Sequence, residues 1–181
     1  MRIETTRLIL RSWTDDDRAP FAALNADPEV MRYFPAVRSR EESDALVDKL
    51  LEFEARDGFA FCAVERKADA AFIGMIGIAT VDYLGLPFEP TVEVGWRLAR
   101  PFWGEGYATE GAVAALAHGF DALNLPEIVA FTATINLPSQ AVMHRLGMSH
   151  DAADDFDHPR VPAGHVLSRH VLYRKRRPVS D

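Results

Sequence analysis

Trp103-Gly104-Glu105-Gly106-Tyr107-Ala108-Thr109 is the stretch on which the reading of this chain turns, because it sets two glycines between a β-favouring run, 91–98, and a helical pattern that begins at Tyr107. A helix that opens this way points the N–H groups of its first turn outward with no partner. Glycines let an anion come close to the backbone, and the helix dipole favours its charge. The stretch predicts an anion site at a helix start, with an ordinary tight turn as the alternative. Two nucleotide patterns are disfavoured: a dinucleotide fingerprint needs a third glycine where Thr109 stands, and a phosphate loop ending in Lys-Ser or Lys-Thr needs a pair that is missing.

Downstream, Ala108, Ala112, Ala115, Leu116, Gly119, Phe120 and Leu123 recur at three- and four-residue steps. This predicts an amphipathic helix over 107–123, ended by Pro126. Then 128–134 reads as a strand, 139–146 as a short helix with Gly147 as its left-handed cap, and 165–173 as the last strand. Upstream, 6–13 reads as a strand and Thr14-Asp15-Asp16-Asp17 as the cap of a helix over 18–24. Asp27-Pro28 starts a second helix that Tyr33-Phe34-Pro35 ends. Ser39 with Glu42 is a capping box for a helix to about Arg56, closed by Asp57-Gly58. The runs 59–66 and 72–83, parted by the polar turn 67–70, predict an antiparallel hairpin. Hairpins outnumber strand-helix-strand units, so the expected fold is α+β, a mostly antiparallel sheet flanked by helices.

The chain has 181 residues, 48% of them hydrophobic, enough for one core and short of two typical domains, so 1–181 is read as a single domain. No apolar run is long enough to span a membrane and the start lacks a secretory pattern, which implies a cytoplasmic protein. Cys62 is the only cysteine, so neither an intrachain disulfide nor a cysteine metal site can form. The histidines and aspartates of 144–170 show no zinc-protease spacing and read as a solvated loop, so no metal is expected. A net charge of -7 argues against general nucleic-acid binding and favours a cationic partner. Arg174-Lys175-Arg176-Arg177 reads as a frayed basic tail, with RNA contact as the alternative.

The glycine turn resembles the pyrophosphate loop of the GNAT acetyltransferases, Arg/Gln-x-x-Gly-x-Gly/Ala. Gly106 and Ala108 match its last two positions, whereas Trp103 replaces the first. Trp-Gly-x-Gly-Tyr-Ala-Thr-Glu is similar to the RimJ/RimL branch, which acetylates ribosomal-protein amino termini. The resemblance extends to Thr6-Arg7-Leu8-Ile9-Leu10-Arg11, Asp27-Pro28-Glu29-Val30-Met31, Glu93-Val94-Gly95-Trp96, Asn136-x-x-Ser139 and Leu146-Gly147-Met148.

That resemblance implies a GNAT fold, its sheet split after about Gly95 by a V-shaped gap that takes the pantetheine arm of acetyl-CoA. Trp96, Arg97 and Leu98 would pair with the arm as an added strand would. The loop Trp103, Gly104, Glu105, Gly106, Tyr107, Ala108 and Thr109 would hold the pyrophosphate, with Asn136 and Ser139 on the other side. Glu93 is the candidate base for a primary amine, with an ordinary strand glutamate as the alternative. Ser139 is the candidate proton donor to the leaving thiolate, with a helix N-cap as the alternative. Asn136 bonds pantetheine or forms a turn. Arg97, Arg100 and Arg145 are candidate phosphate contacts, with ordinary surface arginines as the favoured alternative, and Phe34, Phe59 and the Phe88 loop are candidate acceptor-pocket residues, with core packing as the favoured alternative. The acceptor is expected to be a protein or peptide α-amine, with a small-molecule amine as runner-up. A non-catalytic acyl-CoA-binding module and a homodimer stay open.

Overall fold

Short apolar runs set between turn residues build the sheet. The computed structural model describes residues 1–178. Among them nine strands form one sheet: Ile3–Glu4 (β1), Leu8–Arg11 (β2), Phe61–Arg66 (β3), Ala71–Val81 (β4), Thr91–Leu98 (β5), Glu127–Ala133 (β6), Ser149–His150 (β7), Phe156–Asp157 (β8) and Arg169–Arg176 (β9). Their order is β1-β2-β3-β4-β5-β6-β9-β7, with β8 also on β9.

All pairings are antiparallel except β5 with β6. The exception follows from the chain path, because the helix Tyr107–Asp121 (α3) carries the chain from β5 back to the start of β6, and such a crossover makes strands parallel. The parallel pair has one register point, Glu93 opposite Val129. On its other edge β5 is paired to β4 from Thr91 to Leu98. The sheet therefore opens between β5 and β6 toward their carboxyl ends, and it opens from Glu93, two residues before the expected Gly95.

Helices cover both faces. Thr14 and Ser39 cap the helices Asp15–Ala26 (α1) and Arg40–Asp57 (α2) with full capping boxes, and Gly58 closes α2 in the left-handed region. Phe21, Leu24, Val47 and Leu50 from these helices pack with Ala63 and Met75 on one face of the sheet. On the other face Ala112, Ala115, Leu116 and Phe120 of α3 pack with Ile76, Ile78 and Val94. The approach of α3 is close: a Cβ on Gly111 or Gly119 would lie 2.7 Å from Ile76 Cδ1 or 2.6 Å from Ile128 Cδ1. A last helix, Leu137–Arg145 (α4), follows β6, and Gly147 beyond it has φ +64°.

Four local expectations are corrected. Residues 27–35 form turns and no helix, because the Asp27 side chain takes the Glu29 N–H and Asp27 itself is extended. The last strand starts at Arg169, since His165 accepts from Ser168 in a turn. It continues through Arg176, so the basic segment is strand: Arg174 pairs with Glu127 and Asp154, and Arg176 with Glu127. The histidine-rich segment is also less solvated than expected. His170 is buried, and His150 bonds Asp155 at 2.7 Å and stacks on Tyr173.

Candidate active site

The gap between β5 and β6 opens where the two strands lead into α3 and α4, the place where open sheets with parallel strands bind ligands. At its closed end stands Glu93, opposite Ala79 of β4 and Val129 of β6. Alternation along β5 sends Val92, Val94, Trp96 and Leu98 toward the core under α3. Glu93, Gly95 and Arg97 face the side covered by α1 and α2. There Glu93 reaches a cleft of about 360 Å³ whose wall includes Arg38, Leu46, Lys49, Phe53, Phe61, Tyr83 and Arg160. The Glu93 side chain keeps partial access to this cleft, yet desolvation by the protein around it pushes its carboxyl up to about 8, against the opposing pull of Arg97. A carboxyl in that range exchanges a proton near neutral pH.

At the open end lies the glycine turn. Gly104 and Gly106 both have φ +79°, and Gly106 is the N-cap of α3. The first α3 amide with a backbone acceptor is that of Glu110, to Gly106 O at 3.0 Å, so those of Tyr107, Ala108 and Thr109 lead outward. Such a start fits a pyrophosphate. Glu110 would oppose an anion there, but it is neutralised: Arg7 Nε donates to it at 2.6 Å, and Thr5 Oγ1 and Arg7 N donate as well. Arg7 also donates to Glu105 O and lies over the Tyr107 ring. The amino-terminal Thr-Arg motif and the turn are thus parts of one assembly.

Trp103 ties the turn back to β5, its Nε1 donating to Leu98 O at 2.7 Å. That carbonyl is therefore engaged, which departs from the expectation that Leu98 is open to an added strand alongside Trp96 and Arg97. Asn136 is also engaged: it is the N-cap of α4, accepts from Ser139 N and donates to Thr132 Oγ1 at 2.8 Å. It thereby fills the capping position that was the alternative for Ser139, and the Ser139 hydroxyl has no share in the cap. Arg97 turns away from α3 to donate to Asn25 Oδ1 at 2.6 Å, over the Phe34 ring, which removes it from the phosphate candidates. Arg100 and Arg145 are exposed at the ends of β5 and α4. Phe59 is a core residue, and Phe88 packs on Phe131 and Phe156.

Sequence reasoning missed Asn25, Arg38, Lys49 and Arg160. The periodicity of α2, with Glu42, Leu46, Lys49 and Phe53 on one stripe, held a signal for Lys49: a charge inside an apolar face. Arg38 and Arg160 sit in loops whose spacing carries none.

Residues 7–149 match the family model described as Acetyltransferase (GNAT) domain. An uncharacterized N-acetyltransferase of Bacillus subtilis, YnaD, is 34% identical over 150 residues, 82% of this chain and 82% of its own. The FsC-acetyl coenzyme A-N(2)-transacetylase of Aspergillus fumigatus is 33% identical over 152 residues, 82% of this chain and 65% of its own. A solved acetyltransferase (GNAT family) from Bacillus anthracis shares 27% identity with a TM-score of 0.79, covering 98% of this chain and 99% of that one. The chain belongs to the GNAT family of acetyl-CoA-dependent N-acetyltransferases.

Proposed function

We propose that the protein acetylates a primary amine by direct attack in a ternary complex, with Glu93 as base and Ser139 as proton donor. The observation that carries this is Glu93 itself, a carboxyl raised to about 8 where the sheet parts, facing the cleft under α2. The neutral amine attacks the thioester carbonyl, the C–N bond forms, and the amine's proton passes to the Glu93 carboxylate. As the intermediate collapses the C–S bond breaks and the thiolate takes a proton from the Ser139 hydroxyl or from water relayed by it. A route through an acetylated cysteine is disfavoured, because Cys62 is buried and burial pushes its thiol up to about 12.

The favoured acceptor is the α-amine of a protein or peptide, in keeping with the RimJ/RimL-like motifs of the sequence. An α-amine near ~8 matches a base of the same range, whereas a lysine near ~10.4 does not. A small-molecule amine is the second reading, favoured by a cleft whose roughly 360 Å³ lies in the range of small-ligand pockets. On this reading the protein is a RimJ/RimL-like enzyme of the cytoplasm whose whole chain, 1–181, is one domain. Among the described residues no helix is long and apolar enough to cross a membrane. Free-thiol release from acetyl-CoA, measured against peptides and small amines, tests the reading: acceptor-dependent release supports it, and release that no amine stimulates defeats it.

A further inference from the structure

Four cations stand on the amine side of the site: Arg38, Lys49 and Arg160 on the wall of the cleft, and Arg97 four residues along β5 from Glu93, on the same strand face. None of them joins an ion pair among the described residues, although most other arginines do. Lys49 and Arg160 instead share the Tyr83 ring, at 3.8 and 4.9 Å. Arg38 and Arg97 are different, because the Nε of each is buried and among the described residues has no hydrogen-bond partner. A buried guanidinium N–H without an acceptor is costly, and the carboxylates on the same wall do not meet it: Glu42 accepts the Ser39 N–H in its capping box, and neither it nor Glu93 forms an ion pair with Arg38 or Arg97 among the described residues.

Both arginines are held in place. Arg97 donates to Asn25 Oδ1 at 2.6 Å and rests on Phe34. Asn25, fully buried, donates in turn to Ser43 Oγ at 2.9 Å. The same Asn25 accepts the Arg38 backbone N–H through its carbonyl. One residue thus fixes both cations; burial, with the nearby Arg38 charge adding to it, pushes Arg97 down to about 9. Glu93 and Arg97 share a strand face with Gly95 between them, roughly 13 Å apart along β5, and among the described residues no ion pair joins them. A carboxyl poised for an amine and the Arg38 guanidinium thus line one cleft, and Arg97 is tied to the same Asn25 that holds Arg38.

We infer that the acceptor carries a carboxylate near its amine, with the amine at Glu93 and the carboxylate against Arg38 and Arg97. This rests on the acetyl-transfer reading above and narrows its acceptor to one chemistry with two sources, a small amino acid or dipeptide and an acidic peptide terminus.

Matched acceptors test it. Diglycine is compared with its carboxamide, and a tripeptide amide bearing Glu at its second position with the Gln version, by kcat/KM of thiol release and by calorimetric binding to the CoA-bound protein. In at least one pair the carboxylate member should be favoured by more than about tenfold, since a hydrogen bond to a charged group is worth that much. The pair that shows it identifies the source. Arg38→Gln should cut the preference to below about threefold with acetyl-CoA affinity unchanged, and Arg97→Gln should do the same if it folds. Neutral members used equally well in both pairs, a preference that survives Arg38→Gln, or no binding of any carboxylate would overturn the inference. Carboxylate-dependent binding without thiol release would uphold it and defeat the transfer reading. Thiol release without discrimination would do the reverse.

Discussion

Gly106 holds a backbone conformation that a branched side chain resists, with φ +79° at the N-cap of α3. Space is available there, the nearest atom to an added Cβ being Arg7 Nη2 at 3.6 Å, so the objection is to backbone angle and to blocking the outward amides. Gly106→Val should weaken acetyl-CoA binding by about tenfold or more, for a backbone strain of ~1–3 kcal/mol; calorimetric titration reads this directly, and undiminished affinity would remove the turn from the binding site. Ser139 lies outside the cap that Asn136 provides. Its loss should therefore leave helix and affinity alone: Ser139→Ala is expected to lower turnover by about tenfold with acetyl-CoA affinity within twofold. Equal turnover would return Ser139 to an ordinary surface position.

At the scale of elements, β4 and β5 must stay in register for Glu93 to face the cleft and for Arg97 to reach Asn25. Gly74 permits their closest approach, since a Cβ there would lie 2.2 Å from Arg97 O and 2.8 Å from Leu98 Cα, both backbone atoms that cannot step aside. Gly74→Ala should cost roughly 1–3 kcal/mol, seen as a lower denaturation midpoint; an unchanged midpoint would show that the strands separate freely. The elements most readable in the sequence were those fixed by local chemistry. The Ser39–Glu42 box set the start of α2, and the run Thr91–Leu98 gave β5 its true limits. Residues 27–35 defeated the reading because an Asp-Pro pair starts a helix or an Asx turn equally well, and only the Asp27–Glu29 bond separates the two. The basic run at 174–177 looked like a tail because the carboxylates that pair it, Asp154 and Glu127, are distant in sequence.

Across the whole molecule, net charge proved a poor guide to the site. The chain carries -7, which favours a cationic partner, yet the cleft that holds Glu42 and Glu93 also gathers Arg38, Lys49 and Arg160, none of them in an ion pair among the described residues, because charge summed over a surface says nothing of its distribution. The site draws on both ends of the described chain: Arg7 steadies the turn at Glu105 and Glu110, while Arg160 closes the cleft far along the sequence. The glycine turn is a local string and Glu93 came as a candidate with the family resemblance, whereas Asn25, Arg38 and Arg160 meet their neighbours only through contacts distant in sequence. Direct transfer predicts that Cys62→Ser keeps full turnover and that acetyl-CoA alone leaves no acetyl group on the protein; an acetylated protein by intact mass would contradict it. The central claim is tested most directly by single-turnover thiol release with the neutral form of the amine held at one saturating concentration at every pH, followed from about pH 6 to pH 9 in the wild type and Glu93→Gln. A base acts deprotonated, so the wild-type rate should climb through about pH 8, where burial holds Glu93. Glu93→Gln should be slower by roughly a hundredfold, with that limb gone. A variant that kept the wild-type rate and profile would contradict the account.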